Sequence, residues 1–132
     1  MEKVFSYLRN EGLCPPASQE QIKMIEKKLG VALPTQYIDF LLHSNGYEGI
    51  VGKSYLVLWK IENLVMLNEE YAVNEFAPYL VLIGSDGGGE AYAFDTRMNG
   101  FPIINTPFIG LGLEEETIIG NSFSEFFENL FN

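Results

Sequence analysis

The sequence predicts an α+β domain: a mostly antiparallel central sheet with N-terminal helices and a C-terminal helix packed on one of its faces. Two apolar stripes of helical period lie within residues 19–43, β-rich runs follow between residues 54 and 105, and an aromatic stripe of helical period closes the chain. Helices segregated from a run of strands, rather than alternating with them, point to α+β packing and away from a parallel doubly wound sheet.

In chain order, Val4, Phe5 and Leu8 give residues 2–9 a short amphipathic opening, and "CPPAS" breaks it. Ser18 and Gln21 have the spacing of a capping box, Ile22, Ile25 and Leu29 form the stripe behind it, and Gly30 stands where a left-handed cap is wanted, so a helix is predicted over 19–29. Pro34 suits a first helical turn, and Tyr37, Ile38, Leu41 and Leu42 supply the apolar face of a second helix over 34–43, ended by "SNG". "SYLVLW", "YLVLI", "EAYAFDT" and "FPIIN" are rich in β-formers and separated by Gly, Pro or Asn, the mark of strands and turns. Residues 61–78 have mixed periodicity and predict one or two short helical turns. Ser122 and Glu125 form a second capping pair, and Phe123, Phe126, Phe127, Leu130 and Phe131 fall on one helical face. That stripe is expected in the core, because each large apolar side chain contributes about 1.5–3 kcal/mol when buried.

A chain of 132 residues fits one domain, taken as 1–132, with 47% apolar and 14% aromatic residues, which excludes disordered and fibrous classes. The longest clean apolar runs are strand-sized, so no membrane span is expected, and the opening "MEKVFSYLRNEGLCPP" lacks the basic-then-apolar pattern of a signal peptide. The expectation is a cytoplasmic protein, a monomer or weak homodimer. Cys14 is the sole cysteine, which excludes an intramolecular disulfide and a thiolate cluster.

The formal charge of −10 is unevenly placed. Residues 1–60 hold seven Lys/Arg against six acids, whereas residues 61–132 hold twelve acids and only Arg97. An acidic half repels nucleic acid and phosphate surfaces and speeds encounter with basic proteins at low salt.

No motif demands catalysis. "GIVGKS" resembles the end of a phosphate-binding loop, but Tyr47 stands where the first Gly is required and a strand follows instead of a helix. In "SDGGGEAYAFD", Asp86, Glu90 and Asp95 are candidate oxygen ligands; an EF-hand frame counted from Asp86 fails, with Gly at its third position and Arg97 at its twelfth. A dinucleotide loop fails too, since strand continues past the glycines. The segment is predicted to be a glycine-rich β-turn in which Asp86 bonds nearby backbone and one or more of Gly87 to Gly89 takes positive φ. His43 suits the C-terminal end of its helix, where a cation meets the negative end of the dipole. Trp59 reads as a core or rim aromatic, and neither metal nor cofactor is expected.

"IEKKLGVALPTQYIDFLLHSNGYEG", "YLVLWKIENL" and "LIGSDGGGEAYAFDTR", in this order and spacing, resemble the SUKH superfamily, the Smi/Knr type, over about residues 19–131. Matching positions are Leu33, Pro34, Tyr37, Leu41, Asn45, Gly46, Trp59, Gly84, Asp86, Gly88 and Asp95, most of them architectural. The resemblance implies an α+β fold and, for bacterial members, a non-enzymatic immunity protein that binds and blocks a toxin, often a nuclease. Fungal relatives look like scaffolds in cell-wall and stress signalling, which leaves an intracellular scaffold as the alternative; a metal-dependent hydrolase using the acidic turn is a third reading. On the immunity reading the partner is a basic cognate toxin. The expected contact residues are the acids Glu48, Asp86, Glu90, Asp95, Glu114, Glu115 and Glu116, with Tyr47, Trp59 and Tyr92 as aromatic anchors. Direct nucleic-acid or membrane binding is not expected.

Overall fold

The computed structural model describes residues 2–112 and 116–132. Among the described residues six helices and six strands follow in order: α1 Glu2–Ser6, α2 Gln19–Leu29, α3 Thr35–Leu41, β1 Tyr47–Val51, β2 Ser54–Leu58, α4 Leu64–Glu70, α5 Val73–Phe76, β3 Leu80–Ser85, β4 Glu90–Asp95, β5 Ile103–Pro107, β6 Thr117–Gly120 and α6 Phe123–Phe131. Single 3₁₀ turns at Asn10–Gly12 and Ile61–Asn63 link them.

The strands form an antiparallel meander, β1-β2-β3-β4-β5-β6, each paired with its chain neighbour. Most of the connections are short, so sequential strands pair with little loop entropy; the exception is the 59–79 connection between β2 and β3, which carries α4 and α5. The four predicted strands are β2 to β5; β1 and β6 are additions. Both are edge strands, and their sequences, "YEGIV" and "TIIG", carry glycine and too little alternation to announce a strand alone.

Helix α2 starts as its capping box requires. Ser18 Oγ accepts from the Gln21 amide at 3.1 Å, Gln21 Oε1 accepts from the Ser18 amide at 2.9 Å, and Gly30 ends the helix at φ 76°. Helix α3 is shorter than the expected 34–43, with Pro34 outside it as the N-cap in an extended conformation. His43 Nδ1 lies 2.9 Å from the Asp39 carbonyl oxygen, in the capping role expected of it. Behind it, Asn45 joins two segments: Oδ1 accepts from the Ile61 amide at 2.8 Å and Nδ2 donates to Glu62 Oε1 at 2.6 Å. That hydrogen bond leads in holding the Glu62 carboxyl below the usual carboxylate range.

The main core lies on one sheet face, where Leu56, Leu58, Val81, Ile83, Tyr92, Phe94 and Ile103 meet α2, α3 and α6. Phe123, Phe126, Phe127 and Leu130 of α6 are buried as expected, and edge-to-face contacts link Phe123 with Phe127 (4.9 Å) and Phe126 with Phe127 (5.3 Å). Phe131 is the exception, sitting at the rim against Tyr7.

Helices do not keep to one face. On the opposite side, Leu80, Leu82, Ala91, Ala93 and Ile104 form a second, smaller cluster with Val73 and Ala77 from α5 and its C-terminal flank and with Leu111, edged by Trp59, Tyr79 and Phe108. The small side chains of Ala91 and Ala93 leave this face shallow, so one short helix and a loop are enough to cover it.

The "GIVGKS" stretch is the β1–β2 hairpin, with Val51 paired to Ser54 and two residues between. Gly52 takes φ 60°, the positive φ that a type II′ turn needs at its first central residue, and a Cβ there would lie 2.0 Å from the Phe131 carbonyl oxygen. The glycine serves a turn pressed against α6.

Candidate partner-binding face

The glycine turn closes the β3–β4 hairpin. The Asp86 amide donates to the Glu90 carbonyl at 3.1 Å, and Asp86 Oδ1 accepts from the Gly88 amide at 2.8 Å and, more weakly, from the Glu90 amide at 3.3 Å. Gly87 alone of the three glycines has positive φ, 85°. This is the backbone-binding Asp and left-handed glycine expected of a β-turn. Glu90 Oε1 takes a hydrogen bond from Asn105 Nδ2 at 2.7 Å, and both Asp86 and Glu90 are half-buried. The Phe108 amide donates to the Gly89 carbonyl at 2.9 Å, which draws the segment after β5 alongside the turn.

At the far end of β4, Asp95 is buried and belongs to a closed ionic cluster. Arg97 grips it with Nε to Oδ1 (3.0 Å), Nη2 to Oδ2 (2.8 Å) and its amide to Oδ1 (3.0 Å). Nη2 also reaches Glu116 Oε1 at 3.3 Å, the Tyr79 hydroxyl donates to Glu116 Oε2, and the guanidinium lies 3.7 Å from the Tyr79 ring centroid. The hydrogen bond from Arg97 is the leading cause that holds the Asp95 carboxyl below its ordinary range. Bonding to Glu116 pushes the Tyr79 hydroxyl up. Two of the expected contact acids thus face a cation of their own chain. Glu114 and Glu115 lie outside the described residues.

Two expected anchors sit in the main core. Tyr47 is 1% exposed, its hydroxyl accepting from the Arg9 amide at 3.0 Å and donating to the Ile50 carbonyl at 2.9 Å. Tyr92 packs edge-on against Phe126 at 5.1 Å, and burial pushes its hydroxyl up to about 12. Neither ring is available to a partner while the domain is folded. Strand alternation could not announce this for Tyr47, because β1 was itself hard to read. Glu48 is exposed on β1 and accepts from the Tyr55 hydroxyl at 3.1 Å.

Trp59, half-buried, is the predicted anchor that does reach a surface. It stacks on Tyr71 (6.3 Å, 4° between planes) and Phe108 (6.3 Å, 28°), and those two stack at 4.4 Å. Tyr71 follows α4, Ala72 breaks the helix at φ 55°, and α5 then carries Phe76 to the same side. Tyr71, Phe76, Phe108, Gly110 and Leu111 line a hollow of about 230 Å³, with Phe76 53% and Ile109 92% exposed. Tyr71, Phe76, Phe108 and Ile109 were not among the expected contacts. The available signal was apolar side chains in turn-rich segments, "EEYAVNEFAP" and "TPFIGLG", where no regular face exists to bury them.

A meander sheet filled on both faces by helices and loops, with an aromatic ridge and an exposed apolar patch on the shallower side, defines an α+β module. Residues 16–129 match the model of the SMI1 / KNR4 family (SUKH-1), and the chain belongs to that family. The Bacillus subtilis (strain 168) protein described as "Uncharacterized protein YnaB" is 42% identical over 82 residues, 62% of this chain and 52% of that relative. The match thus spans about half the length of the relative. Family membership is consistent with an immunity-type, protein-binding role. Among the described residues no helix is long and apolar enough to cross a membrane.

Proposed function

We propose that this chain is an immunity protein that neutralises a basic cognate toxin, a nuclease in the simplest case, by occupying with carboxylates the surface that would hold nucleic-acid phosphate. The observation that carries the reading is the fate of Arg97. It is the only Lys or Arg in residues 61–132, and its guanidinium is committed to Asp95 and Glu116. Among the described residues no Lys or Arg forms a salt bridge with Glu48, Glu69, Glu70, Glu75, Asp86 or Glu90. Those carboxylates project an uncompensated field, which steers a basic partner and raises its association rate.

Of the expected contacts, the exposed Glu48 and the half-buried Trp59, Asp86 and Glu90 remain as the proposed set. The test is co-expression with any toxin whose basic domain a neighbouring gene is found to encode, followed by titration of the purified pair. The expected results are restored growth and a dissociation constant that weakens steeply between about 0.05 and 0.5 M salt. Growth arrest that persists despite stable co-expression would overturn the reading, and a complex without protection would favour a scaffold.

A further inference from the structure

We propose that the Trp59–Tyr71–Phe108 ridge and its hollow dock an apolar side chain, held between lysines or arginines, from a basic protein partner; this rests on the protein-binding reading above. The hollow, about 230 Å³, is smaller than the roughly 300–1,000 Å³ usual for small-molecule sites and has side-chain scale. Its walls are preformed: the rings stack on one another, and the shallow sheet cluster supports them from below. The walls therefore give up little entropy when an anchor enters, and centrally buried aromatic contacts of this kind govern the dissociation rate.

Charge complementarity identifies the occupant. Exposed Glu70 and Glu75 immediately precede Tyr71 and Phe76, and the Asp86–Glu90 turn is hydrogen-bonded through Gly89 to Phe108. No Lys or Arg occurs between Lys60 and Arg97. Lys60 stands exposed beside Trp59, with Glu62 two positions on, and Arg97 is held by Asp95 and Glu116. An apolar ridge with this rim repels an acidic partner and favours an apolar anchor flanked by cations. A second copy of this chain would bring the same acids against one another.

The experiment titrates the full chain with three capped octapeptides while following backbone amide spectra: a lysine-rich peptide with one central tryptophan, the same peptide with alanine at the centre, and a glutamate-rich peptide with the tryptophan. The first is expected to shift residues 59, 71, 76 and 108 and to bind at least about tenfold tighter than either control. Phe76→Ser, which removes a wall of the hollow without changing charge, should lower that affinity about tenfold or more with spectra otherwise folded. Equal binding of the alanine or the glutamate peptide, shifts confined to other surfaces, or no binding would overturn the docking site. So would a dimer of the free chain that Ile109→Asp dissolves, since the ridge would then belong to a second copy. In the growth assay, protection retained by Phe76→Ser but lost in the paired Glu70→Gln, Glu75→Gln variant would sink the ridge and leave the immunity reading standing. Loss in both would support the ridge.

Discussion

Asn68 completes the hydrogen bonding of Leu82: its Oδ1 accepts from the Leu82 amide at 2.9 Å and its Nδ2 donates to the Leu82 carbonyl at 3.0 Å. β2 pairs with β3 at Ser85 and Gly84, and the Trp59 amide reaches Ile83, after which the chain leaves the sheet edge. A side-chain amide on α4 stands in for the missing strand, so the helix and the sheet edge beneath the aromatic ridge form one unit.

Asn68→Ala strands a buried amide and carbonyl, each at a cost of about 1–3 kcal/mol. The expected loss is about 2–4 kcal/mol of unfolding free energy, read as a lower urea midpoint. Glu69→Ala, exposed and adjacent, should change stability by less than about 0.5 kcal/mol.

The Asp95–Arg97 pair makes acid sensitivity predictable. The folded pKa of Asp95 lies below its unfolded value, so its contribution is complete above the unfolded pKa, about 3.9, and is lost as pH falls through the folded one. Asp95→Asn should therefore lower the melting temperature at pH 7, and its further fall between pH 5 and pH 2 should be smaller than the wild type's. Parallel curves for the two proteins would show that Asp95 plays no part in acid unfolding.

Gly52 and Gly89 are expected to respond differently to alanine. At Gly52 the positive φ and the Phe131 carbonyl leave no room for Cβ, which predicts a loss of at least about 1 kcal/mol and fraying at the end of α6. At Gly89 nothing lies within 4 Å of the added carbon and φ is not positive, so the change should stay within about 0.5 kcal/mol. Thermal melts with amide exchange across α6 measure both.

Tyr37 is buried, and among the described residues its hydroxyl has no hydrogen-bonding partner. Burial pushes its pKa up, as it pushes Tyr92 up to about 12. A tyrosine raised in this way keeps its full contribution below its unfolded pKa, about 10, and withdraws it as pH climbs toward the folded value. Stability should begin to fall above about pH 10. Tyr37→Phe is expected to cost under about 1 kcal/mol at pH 7, since it removes an unpaired polar group, and to reduce the alkaline loss. A cost of several kcal/mol would reveal a hydrogen bond at that hydroxyl.

Helices α2 and α6 were legible because their signals are local: a cap residue, its partner three positions on, and an apolar stripe at the helical period. The turn at Asp86 was legible for the same reason, since the Asp–Gly chemistry acts within a few residues. β1 and β6 were not, because an edge strand is defined by its neighbour more than by its own composition. Tyr47 and Tyr92 looked like anchors for want of any local sign that their strands turn those rings inward.

The amino-acid sequence by itself determined the α+β class, the capped helices, the glycine hairpin and the concentration of acid in residues 61–132, all set by short-range stereochemistry or by composition. Only the tertiary structure decided which charges remain outward and which aromatics meet. Arg97 reaches Glu116 across 19 positions, and Trp59 joins Phe108 across 49, pairings that exist because the meander folds distant segments onto one sheet face, where no periodicity along the chain could register them.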